Sequence, residues 1–143
     1  MRSRALPVTL AALVALSACE RSDRGDASAS QVPTAVTCTD ARQMRQQAID
    51  DRHQIERLQS DQAKTIAANR ASFFASLASI ADLKCRVTLA EADRALIPAL
   101  EAARRAEDAG SFYETAQKWA EAAFISIQVG ALLIQQLPSP PRQ

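Results

Sequence analysis

Three cysteines, Cys19, Cys38 and Cys85, and a single histidine, His53, carry most of the reactive chemistry this sequence offers. A thiol forms thioethers, disulfides and metal bonds, and an imidazole moves protons or ligates metal. Asp50 and Glu56 stand three residues to either side of His53. On a helix that spacing places all three on one face, so a carboxylate–His–carboxylate metal site can be drawn. Zinc sites usually take more His or Cys than this, and charged neighbours are ordinary on a solvated helix face. The chain contains no GxSxG, CxxC, HExxH or glycine-rich phosphate loop, and only three glycines altogether. Many carboxylates have bases at helical spacing, such as Glu101 with Arg105. No catalytic site, metal or cofactor is expected.

Cys19 has a distinctive setting. Arg2 and Arg4 open the chain, and Ala5 to Leu16 follow as an apolar stretch broken by Pro7 and Thr9. That run is shorter than the ~20 apolar residues a bilayer core requires. It has the layout of an export signal. Its end, Leu16-Ser17-Ala18-Cys19, resembles the bacterial lipobox, in which an aliphatic and two small residues precede an invariant cysteine. The resemblance implies a lipoprotein precursor: signal peptide 1–18 removed, Cys19 diacylglycerylated, and its new amine often acylated. Two or more acyl chains anchor a protein stably where one does so marginally. Glu20 follows the cysteine where Asp would imply retention at the inner membrane, so the outer membrane is favoured, with the domain in the periplasm.

Loss of Arg2 and Arg4 takes the 17 basic residues to 15 against 16 acidic ones, a mature formal charge of −1. No concentrated basic face of the kind nucleic-acid binding needs is visible. Aromatics make up 4% of the chain and alanine is abundant, which suits helices. Residues 19–37 are small, polar and interrupted by Gly25 and Pro33, and are expected to be a flexible tether. Arg24-Gly25-Asp26 in that tether matches an integrin-recognition tripeptide, which chance explains. Pro138 to Pro141 mark a Pro-rich tail over 138–143.

Residues 38–137 are expected to form an all-α, antiparallel bundle of three to four helices. No glycine or proline falls between Pro33 and Pro98. Thr39 or Asp40 can cap the first helix. Met44, Ala48, Ile55 and Leu58 share a side, continued by Ile66, Phe73, Leu77 and Ile80. Thr88 with Glu91 and Ser111 with Glu114 have capping-box spacing, and Gly110 can end the helix before the second of these. These predict helices over about 89–109 and 112–137. The former should bury Leu89, Ala92, Leu96, Leu100 and Ala103 and kink at Pro98.

The last helix presents Phe112, Ala116, Trp119, Ala123, Ile127, Ala131 and Ile134 as its core stripe. Glu114, Lys118, Glu121, Gln128 and Gln135 define a polar side, on which Ile125 and Leu132 project beside Phe124. Either another helix covers that side, or Phe124, Ile125 and Leu132 await a partner. Glu121, Ser126 and Gln128 interrupt the apolar run, favouring a buried helix over a membrane span. Residues 99–123 also resemble, loosely, one tetratricopeptide unit; Thr115 departs from its alanine pattern and no second copy is present.

With Cys19 lipidated, Cys38 and Cys85 remain as a pair in an oxidising compartment, where a disulfide is expected. A single straight helix over 39–84 would hold its ends about 69 Å apart, whereas bridged cysteines need Cα atoms within about 7 Å. A hairpin turning near Gln59-Ser60-Asp61-Gln62 removes the conflict, with Ser60 or Asp61 capping its second arm. Reduced thiols or a bridge between chains are the alternatives.

The expected function is that of a non-enzymatic accessory lipoprotein, anchored by lipid and binding an envelope protein. Secretion-system pilotins are its architectural analogue. Entry or superinfection exclusion for a mobile element is a second interaction reading. An envelope enzyme or metal binder using His53 is the alternative from another class.

Overall fold

The structure is a computed structural model that describes residues 31–86 and 90–137. The signal segment, Cys19, Thr88 with its capping pattern, Leu89, and the Pro-rich tail lie outside the described residues. A 3-10 turn at Cys38–Asp40 leads into four helices: α1 Ala41–Ile55, α2 Asp61–Lys84, α3 Ala90–Asp108 and α4 Phe112–Gln135.

The long stretch without glycine or proline is therefore two helices. Ser60 ends the ambiguity: its hydroxyl accepts a hydrogen bond from the Ala63 backbone N–H at 3.1 Å, capping α2 where the hairpin was expected to turn. Ser111 does the same for α4 through the Glu114 N–H at 3.2 Å. The first cap differs from expectation. Asp40 directs its carboxylate back to the Thr37 backbone N–H at 2.8 Å and the Thr37 hydroxyl at 2.9 Å, closing the 3-10 turn. Pro98 sits inside α3 on its exposed side, where water can serve the Arg94 carbonyl that its ring leaves without an amide donor.

α1 and α2 form an antiparallel hairpin, joined by an Arg45–Asp82 ion pair at 2.7 Å near one end and Asp51–Arg70 at 3.4 Å farther along. α3 and α4, linked by three residues, pack as a second hairpin. The two hairpins meet through α2 and α4. Trp119 lies on Phe73 and Phe74, and Gly130 faces Ile80, so these two helices run in the same direction. α1 and α3 do not pack on each other.

The expected tether ends earlier than residue 37. Val32 and Val36 are buried, at 5% and 1% exposure, and the folded unit begins at Val32. The Pro33 carbonyl accepts from Arg104 at 3.1 Å, and the Val36 carbonyl from the Lys84 ammonium, which also pairs with Asp93. Residues 32–37 thus form a strap running along α3. Two valines four apart bury one side of it, and cationic side chains satisfy the carbonyls that no sheet or helix would serve.

The core is built on Phe73, Phe74, Leu77, Ile80, Leu96 and Trp119, with alanines where helices approach closely. Met44, Ala48, Ala92, Leu100 and Ala103 are buried as expected, and Ile55, Leu58 and Ile66 are half-buried. On α4 the expected stripe is corrected. Trp119 and Ala123 are buried, but Phe112, Ile127, Ala131 and Ile134 are exposed. The buried line is Trp119, Ala122, Ala123, Ser126, Val129 and Leu133. Each four-residue step along a helix overshoots a full turn by about 40°. Steps from Trp119 through Ala123 and Ile127 to Ala131 therefore walk off the core face.

Candidate binding surface

α4 has α2 and α3 as its neighbours, and its remaining side faces outward. Tyr113, Phe124, Ile127 and Ile134 are there, exposed at 78%, 62%, 54% and 60%. Gln117, Ala120, Ala131 and Gln135 share the same face. No side chain among these eight is charged. Single exposed apolar residues are commonplace, whereas a continuous row along one helix marks a place where another molecule can bury them.

The three residues proposed from sequence divide. Phe124 lies at the middle of this outward face, and Leu132, exposed at 54%, lies on its flank. Ile125 is half-buried and packs against the core, so it belongs to the support of the surface and not to its contact layer. Ile127, Ala131 and Ile134 were missed as surface residues because the same apolar signal was assigned to the core. Charge holds the flank in place: Lys118 bonds Glu121 at 3.0 Å, one turn below Phe124.

His53, Asp50 and Glu56 are exposed on α1, and the Asp50 carboxylate accepts from Gln46 at 3.0 Å. Among the described residues no three His, Cys, Asp or Glu side chains converge as a metal site. Cys38 and Cys85 stand at disulfide distance, with Cα atoms 4.9 Å apart, at the end of the first hairpin. An open cleft of about 380 Å3 lies between the strap and α3, lined by Val36, Leu96, Ile97 and Leu100 with Asp93 and Arg94 at its rim. No helix among the described residues is long and apolar enough to cross a membrane.

One polar cluster was invisible in the sequence. Asp51, only 2% exposed, accepts from Gln47 at 3.0 Å and pairs with Arg70, whose guanidinium lies 5.5 Å from the Trp119 ring centre and 5.7 Å from that of Phe74. Burial raises the Asp51 carboxyl above its ordinary value; Arg70 and the Gln47 hydrogen bond pull against it, and Asp50 adds to it. The cluster ties α1 to α2 and, through the cation over Trp119, to α4. Its geometry is that of a clamp behind the outward face. No family model, curated protein or solved structure matches the chain.

Proposed function

We propose that this chain is a lipid-anchored accessory lipoprotein of the bacterial envelope, without catalytic activity, that works by binding another polypeptide through the outward face of α4. The lipobox-like Leu16-Ser17-Ala18-Cys19 supports the anchor. The uncharged, apolar row Phe124, Ile127, Ala131 and Ile134 on a helix otherwise packed into the bundle carries the binding reading. A Cys38–Cys85 disulfide fits the same oxidising compartment, and their 4.9 Å separation suits it.

Two measurements on the full chain test the reading. Labelled palmitate should enter the wild-type protein and be lost in Cys19→Ala; equal labelling would sink the anchor. Affinity capture from cross-linked cells should lose its bound polypeptide in Phe124→Asp/Leu132→Asp while the helical circular dichroism is unchanged. Capture that persists in this variant removes α4 as the binding face.

A further inference from the structure

We infer that the polypeptide seated on α4 is a second copy of this chain, paired antiparallel along that helix. This rests on the reading of α4 as the binding face. The outward residues Tyr113, Gln117, Ala120, Phe124, Ile127, Ala131 and Ile134 follow one another at alternating spacings of four and three. That is the seam of a coiled coil, sustained over three heptads, and all seven residues are exposed. A surface helix that packs only against its own bundle has no need of a second stripe opposite the first. The seam runs for about 32 Å. A stable interface buries roughly 800 Å2 per partner, and exposed aromatic and isoleucine side chains such as Tyr113, Phe124, Ile127 and Ile134 are the kind that supply it.

Charge selects the occupant. The seam itself is neutral, so two copies bring no like charges together across it. The flanking positions on one side are Glu114, Glu121, Gln128 and Gln135, acidic in the first half and neutral in the second. When two such helices run antiparallel with Phe124 against Ile127 of the other copy, Glu121 meets Gln128 and Glu114 meets Gln135. Each carboxylate then faces an amide donor instead of another carboxylate. The positions on the other side of the seam, Ala116, Ala123 and Gly130, turn toward the chain's own bundle, where Ala123 is buried and Gly130 faces Ile80, so they bring no charge to the pairing. A lipid surface fits poorly, because interfacial helices carry Lys and Arg beside their apolar face and this one carries Glu114 and Glu121 with Lys118 alone. Burying the seam in a symmetric pair also removes the exposed row from solvent without any second gene product.

The test is photo-cross-linking in cells on the full chain, with benzoylphenylalanine introduced at Gln117. The expected product contains two copies, joining position 117 of one to a residue near Ile134 of the other, located by fragmentation within tryptic peptide 119–142. Ile127→Glu should lower its yield at least about tenfold, with unchanged helical circular dichroism, since Ile127 is more than half exposed on the bundle. A two-copy product joining the peptides around 117 to each other overturns the antiparallel arrangement. An adduct with a different protein alone overturns self-pairing and leaves α4 as a binding face. An adduct with lipid alone, or none, overturns both.

Discussion

Asp51 and Arg70 meet where the first hairpin leans on α4, and they set the electrostatic character of the interior. Asp51 loses nearly all its water, and a partner at 3.4 Å returns only part of what hydration supplied. Its carboxyl is therefore raised above its ordinary value of 3.8. A raised carboxyl binds its proton more tightly folded than unfolded. The stability it contributes is complete below pH 3.8 and declines as pH rises through the folded value. The difference in unfolding free energy between wild type and Asp51→Asn should accordingly fall as pH rises above 3.8. Denaturant melts of both proteins from acid to neutral pH measure it; a difference that stays flat or rises would show the carboxylate to be well solvated or fully paired. Subtracting the variant removes the contribution of the other carboxylates, which titrate in both proteins.

Among the helices, α4 carries the heaviest demands. It must fill the core with Trp119, Val129 and Leu133, pass beside α2, and present an apolar outer side. Gly130 lies within it, where a glycine costs about 1 kcal/mol of helix propensity relative to alanine. A Cβ built there meets Ile80 Cγ1 at 3.8 Å, an ordinary packing distance. Gly130→Ala should therefore stabilise the fold by about 1 kcal/mol, visible as a higher denaturant midpoint. Destabilisation would mean that α2 and α4 depend on closer approach than this distance requires. The caps of α2 and α4 were legible because Ser60 and Ser111 act on N–H groups three residues away. The core side of α4 was not legible. Apolar residues and alanines occur all round it, so periodicity alone offered two stripes and no means of choosing between them.

At the scale of the whole fold, the described residues form two hairpins joined along parallel α2 and α4, with the strap 32–37 laid on α3. Bonding Cys38 to Cys85 fastens the turn after the strap to the end of α2. It closes a loop of about 48 residues, for which chain entropy gives about 4 kcal/mol of stabilisation. Cys38→Ala/Cys85→Ala should lose up to that amount in chemical denaturation under oxidising conditions and nothing further on adding reductant. A variant as stable as the wild type would show the two thiols to be unbridged. The strap's burial was missed because residues 31–37 are too few and too polar for a helical or strand period to register. Its fixing comes from Arg104 and Lys84, distant in sequence.

The sequence by itself determined the all-α class and the helix ends marked by serine caps; it raised a Cys38–Cys85 pair and the hairpin such a pair requires, but left one long helix as the alternative. These follow from local hydrogen bonding and from chain length, which the order of residues fixes directly. Only the tertiary structure decided which side of α4 faces the core, that α2 and α4 run parallel, that the strap is packed, and that Asp51 is buried against Arg70 and Trp119. Each of those depends on which helix lies beside which. An outward apolar stripe becomes recognisable as a surface only after the inward one has found its neighbours.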